Sequence, residues 1–226
     1  MWEKELRIGT SDWEHEDWVG GFYPNDLPDD WRLGYYSNRL KSVLVPAARV
    51  LRLAAEEIAT WPEDVYPEFR FVIEIDMAEL SESGALLERL KPVSANIDAW
   101  LLRCKDRPAA DESVVLDAVN NLSRYYPVCF CCQGADLSAD TWSRLHGLGA
   151  SRCWHADTES APQDGGNYLV TLTEETNGRS QRNILQAIAD WAERQSPDTG
   201  AALFFDGAQA TDAAVQARTV AELMGI

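Results

Sequence analysis

Short apolar runs rich in β-branched and aromatic residues recur along the chain, separated by longer stretches whose apolar residues return every three or four positions. The short runs read as strands buried on both faces, and the longer stretches as helices that hide a single stripe. Strands are predicted at Leu6–Ser11, Ser42–Val45, Phe69–Ile75, Ala99–Cys104, Val128–Cys132, Arg152–His155, Tyr168–Leu172 and Ala201–Asp206. Helices are predicted at residues 30–40, 48–60, 83–91, 112–125, 139–147, 181–195 and 211–224.

The helical periodicity is clearest where Val115, Ala118, Val119, Leu122 and Tyr126 fall on one side and Asp117, Asn120 and Asn121 on the other. Ile184, Ala187, Ile188 and Trp191 repeat the pattern, which Ser196-Pro197 closes. After the sixth strand only ADTESAPQDGG remains, and Pro162 with Gly165-Gly166 breaks it too often for a full helix.

Eight parallel strands with crossover helices fit a closed (β/α)8 TIM-like barrel, because an open sheet would leave two edges to protect. The chain is short for that fold, so the helix after strand six is expected to be missing or abbreviated, and residues 1–226 are read as a single domain. A doubly wound open sheet is the rival, but no G-x-G-x-x-G follows the first strand and no P-loop is present.

The opening segment IGTSDWEHEDWVGGFYPNDLP, residues 8–28, carries spaced motifs: Ile8-Gly9-Thr10-Ser11-Asp12-Trp13, then Trp18, Gly20, Phe22-Tyr23-Pro24 and Leu27-Pro28, followed by Tyr35-Tyr36. It resembles the YecE-like family, uncharacterised barrel proteins defined as a domain of unknown function. The resemblance implies a barrel and fades beyond Tyr36. Ser42-Val43-Leu44-Val45-Pro46 stands where the family has T-V-E-I-N, and Arg103 with Cys104-Lys105 where it has glutamine and then proline. Cys129, Cys131 and Cys132 lie on the strand where Glu and Arg are usual, and Val170, Leu172 and Thr173 replace Arg, His and Gly. Asp157 and Asp206 fall near polar positions of the family. The resemblance therefore implies a divergent member with a rewritten polar pocket.

The 37 acidic residues against 20 basic ones give a formal charge of −17, a field that repels phosphate backbones and anionic lipid surfaces. Arg49, Arg52, Arg103, Lys105 and Arg107 are too scattered to form a basic stripe, so nucleic acid is not an expected partner. The absence of a signal-like apolar core or a spanning segment predicts a cytoplasmic protein with no membrane partner, and five cysteines in such a chain are expected as reduced thiols.

In a barrel the functional side chains gather where the strands end. Those ends offer Thr10, Ser11, Asp12, Trp13, Glu74, Asp76, Arg103, Lys105, Cys132, Gln133, His155, Asp157, Glu174 and Asp206. Glu74 and Asp76 are two apart on one strand and share a face, which makes them the best carboxylate pair. His155 with Asp157 close behind reads as a general base oriented by a carboxylate. The rim acids Asp12, Glu74, Asp76, Asp157, Glu174 and Asp206 could supply oxygen ligands to Mg²⁺ or Mn²⁺, and no other cofactor is indicated. His15 and His146 belong to no zinc-ligand spacing. The cysteines lack the C-x₂-C knuckle and are expected to pack in the core, with Cys132 nearest the rim.

Thr10, Ser11, Asp12, Trp13, Trp18, Tyr23, Arg103 and Asp206 are the expected ligand-binding residues, and Glu74, Asp76, His155 and Asp157 the catalytic candidates. The leading expectation is a barrel that binds a small polar ligand at its carboxyl-terminal rim with reduced or no catalysis. The alternatives are a hydrolase, metal-assisted or not, acting on a phosphate or glycoside, and an acidic module that docks a basic protein.

Overall fold

Among the described residues nine parallel strands make one sheet in the order β6-β5-β4-β3-β2-β1-β9-β8-β7. They are β1 Arg7–Ser11, β2 Ser42–Pro46, β3 Arg70–Asp76, β4 Ile97–Cys104, β5 Val128–Cys132, β6 Ser151–Arg152, β7 Trp154–His155, β8 Tyr168–Thr173 and β9 Gly200–Phe205. The computed structural model describes residues 6–104, 112–132 and 137–226. The first strand pairs with the last, Ile8 beside Leu203 and Thr10 beside Phe205. At the other end of the order, β6 and β7 are separated only by Cys153, so the two apparent edges are halves of one stave and the ring closes.

That stave was expected as one strand, Arg152–His155, and is two because it changes partner midway. Ser151 and Arg152 pair with Cys129 and Phe130 of β5, whereas Trp154 and His155 pair with Thr171 and Leu172 of β8. The Cys153 amide still donates to the Phe130 carbonyl at 2.9 Å, and beyond it no ladder joins β5 to β7 among the described residues. The barrel therefore has a seam at its carboxyl-terminal end.

Among the described residues eight α-helices cover the strands: α1 Arg32–Ser37, α2 Ala47–Arg52, α3 Ala55–Asp64, α4 Ser83–Leu90, α5 Glu112–Leu122, α6 Ala139–Gly147, α7 Gly178–Glu193 and α8 Ala210–Met224. The stretch expected as one helix over 48–60 is two, because Leu53 and Ala54 are extended. Residues 156–167 hold no helix, as Pro162 and the two glycines predict, and Gly165 and Gly166 both take positive φ.

Side chains alternate between two apolar layers. Leu44, Val72, Ala99, Leu101, Cys129, Cys131, Cys153, Tyr168, Val170, Ala202 and Phe204 fill the barrel interior. Val43, Val45, Phe71, Ile73, Trp100, Leu102, Phe130 and Leu203 point outward into the shell shared with the helices. Each large side chain buried there contributes about 1.5–3 kcal/mol relative to exposure.

The opening segment belongs to the outer shell. Trp13 meets Trp61 edge-on with ring centres 5.1 Å apart, and Tyr23 donates its hydroxyl proton to the Trp13 carbonyl at 2.5 Å. The guanidinium of Arg49 lies 4.2 Å from the centre of the Trp13 ring while reaching Asp12 at 3.2 Å and Glu14 at 2.6 Å. Asp12 takes a left-handed φ of 60° that turns the chain out of β1, and its carboxylate accepts from the Trp13 amide at 2.7 Å.

Candidate functional site

Period-two alternation carries the interior face up to the barrel mouth. Val72 points inward, so Glu74 does too, and the same step leads from Leu101 to Arg103, from Cys129 to Cys131 and from Cys153 to His155. Register sets Asp76 beside Arg103 and Arg103 beside Cys131, so these side chains share one level.

Arg103 Nε lies 3.0 Å from Glu74 Oε2, with each side chain about one-sixth exposed. The Nε–H is not aimed along this contact, so it is a close ion pair rather than an aligned hydrogen bond. Across the seam, Cys131 Sγ and His155 Nε2 stand 3.2 Å apart. Cys153 is buried beside them, and Cys131, Cys153 and His155 have their donor atoms within 4.8 Å of one another, the one such group of metal-ligand side chains among the described residues. The contact with Cys131 raises the proton affinity of His155, opposed by burial. The neighbouring Cys153 thiol and burial push Cys131 up, and Cys129 chiefly does the same to Cys153. Both shifts favour the protonated thiol over the thiolate.

Other expected site residues are engaged elsewhere. Asp76 caps the 3-10 turn Met77–Glu82, accepting from the Ala78 amide at 3.0 Å while Glu79 accepts from the Asp76 amide. It is therefore no partner for Glu74. Asp157, expected to orient His155, turns to β8 instead, accepting from the Thr173 hydroxyl at 2.6 Å and from the Glu174 amide at 2.9 Å. Two residues past His155 the stave has ended, so the strand alternation no longer holds the two side chains on one face.

Thr10, Trp13, Trp18 and Tyr23 were expected to face a ligand and are all buried in the fold. The parity of β1 explains this: Thr10 points outward to Tyr36, which leaves half-buried Ser11 on the mouth side. Asp12 is held by Arg49, and exposed Asp206 accepts from the Gly207 amide at 2.8 Å. Glu174 is exposed, and Cys132 packs against the outer shell. Lys105 and Gln133 lie outside the described residues. Sequence reasoning named Glu74, Arg103 and His155 but missed the Cys131–Cys153–His155 grouping. Its signal was the two-residue spacing of Cys129 with Cys131 and of Cys153 with His155.

A cavity of about 770 Å³ opens at the opposite end of the barrel, where Asp98 lies 3.5 Å from Arg7, 3.3 Å from Arg70 and 3.3 Å from the Tyr168 hydroxyl. In barrels this amino-terminal end serves stability and the other end serves function. Among the described residues no helix is long and apolar enough to cross a membrane.

Residues 7–226 match the family model DUF72, described as a protein of unknown function. A DUF72 family protein of Enterococcus faecalis V583 superposes with a TM-score of 0.73 at 13% identity, covering 96% of each chain. One from Thermotoga maritima MSB8 gives 0.68 at 12% identity, covering 99% of this chain and all of that one. A D-psicose 3-epimerase gives 0.63 at 13% identity over 96% of this chain and 99% of its own, a likeness of fold alone. A search of curated proteins finds no match.

Proposed function

Since the chain belongs to the DUF72 family, whose function is undefined, we propose that it acts at the carboxyl-terminal mouth of its barrel by binding a small polar ligand, with little or no catalysis. The observation that carries this reading is the Glu74–Arg103 pair inside the mouth. Removing two charges from water is costly, and a fold seeking only stability could fill the same positions with apolar groups. A pair left at the rim offers a donor fork for an acidic or carbonyl oxygen and an acceptor for a hydroxyl or amine.

Hydrolysis is less well supported. Asp76 is committed to its cap and Asp157 to the Thr173 hydroxyl and Glu174 amide, and burial and Cys153 hold the thiol beside His155 in its protonated form, so among the described residues neither a second acid nor an activated nucleophile stands ready. The five cysteines, none of them in a disulfide, fit a reducing compartment, which favours the cytoplasm, and the −17 charge disfavours nucleic acid.

A thermal-shift screen of small polar metabolites tests the reading. A stabiliser of the wild type that loses its effect on Arg103→Met is the expected result. No stabiliser, or an equal shift in that variant, refutes it.

A further inference from the structure

We propose that Cys131, Cys153 and His155 bind one soft divalent transition-metal ion of the zinc type, which staples the barrel seam between β5 and β7 and keeps its fourth position toward the mouth.

Three features converge on this assignment. The first is placement. Pairing of Cys129 with Ser151 sets Cys131 opposite Cys153, and alternation returns His155 to the same face two residues later, so two staves present three donors to one point. The second is distance. Zinc bonds of about 2.3 Å to sulfur and about 2.0 Å to nitrogen, with tetrahedral angles, require donor separations of about 3.5–3.8 Å. The 3.2 Å between Cys131 Sγ and His155 Nε2 needs only a small outward movement, and all three atoms already lie within 4.8 Å.

The third feature is charge. Two thiols lose their protons to solvent as the ion enters, and the resulting thiolates balance its two positive charges, with the imidazole neutral. Arg103, a cation felt by His155, is already paired with Glu74, so loading adds no net charge to the group. Two cysteines and a histidine form a ligand set known for open zinc sites, in which the remaining position takes water or a ligand. The ladder between β5 and its neighbour stops at Cys153, so a bound ion would replace missing backbone bonds with covalent-strength contacts.

The inference is independent of the polar-ligand reading, and the tests separate them. Reduced, metal-free full-length protein titrated with Co²⁺ under nitrogen should develop tetrahedral d–d bands and thiolate charge-transfer absorption, saturating at one ion per chain and displaced by Zn²⁺. Cys131→Ser, Cys153→Ser and His155→Gln should each lose or weaken these bands. Cys104→Ser, Cys132→Ser and Arg103→Met should retain them. Circular dichroism checks that each variant is folded, and X-ray absorption on the zinc-loaded wild type gives a readout that needs no variant. Two sulfur scatterers are expected. A shell of oxygen and nitrogen alone, absence of cobalt bands, or bands that survive Cys131→Ser and Cys153→Ser together would overturn the site.

Discussion

The hydroxyl of Tyr36 bridges two neighbouring strands, accepting from the Thr10 amide of β1 at 2.9 Å and donating to the Ser42 carbonyl of β2 at 3.0 Å. Both backbone groups are buried, and the phenol is itself fully buried. Tyr36→Phe leaves a donor and an acceptor unmatched, each at about 1–3 kcal/mol, so a loss of at least about 2 kcal/mol is expected in urea unfolding. A shift within about 0.5 kcal/mol would mean that the strands close up and bond directly. Gly9 is coupled to the same place: a Cβ there would lie 1.8 Å from the Ser42 carbonyl oxygen, so Gly9→Ala should cost more than the tyrosine variant.

Arg49 anchors the opening segment through the Trp13 ring face and the Asp12 and Glu14 carboxylates. Lysine keeps the charge but not the planar fork, so Arg49→Lys is expected to lose about 1–2 kcal/mol. A double-mutant cycle with Trp13→Leu should give a coupling near 1 kcal/mol. Additive single effects would show that the ring and the guanidinium are neighbours without interacting.

The fold was legible because both faces of each strand are buried, which writes the staves as apolar runs; Val128–Cys132 has the same bounds in sequence and structure. The breaks were not legible, since they depend on distant partners. The division of the helix expected at 48–60 coincides with Arg89 donating to the Leu53 carbonyl, and the split at Cys153 reflects which neighbour each half of the stave meets. The same holds for the site. The strand ends named Glu74 and Arg103, but the thiol–imidazole contact joins two staves, and no local pattern could pair Cys131 with His155 in preference to Asp157. The aromatics of residues 13–23 were visible as a group, whereas the direction they face follows from the parity of β1 in the closed ring.

At the amino-terminal end, burial raises the pKa of Asp98 above its ordinary range, with Arg7 and Arg70 pulling it down. The folded state thus holds this proton more tightly than the unfolded chain does, so the contribution is present in full at low pH. It is lost as pH rises from the unfolded carboxylate value through the folded one. Wild-type stability minus that of Asp98→Asn should therefore fall over that window and then level off, measured by unfolding across acidic pH. A difference that rises with pH would show that the two arginines outweigh burial.

The Glu74–Arg103 pair yields a prediction about both stability and access. Glu74→Gln keeps the volume but leaves the guanidinium without its nearest counter-charge. The cost is expected near 2 kcal/mol, below the roughly 3–5 kcal/mol of a fully buried pair because both side chains keep some solvent. An anion entering through the mouth would take the place of the missing carboxylate. Sulfate should therefore stabilise Glu74→Gln more than the wild type when compared with chloride at equal ionic strength. The double variant with Arg103→Met should recover most of the lost stability and lose the extra sulfate response, because no uncompensated charge remains. Equal sulfate shifts in wild type and Glu74→Gln would show that Arg103 is closed to anions from the mouth, and the ligand site would then have to lie elsewhere on the barrel.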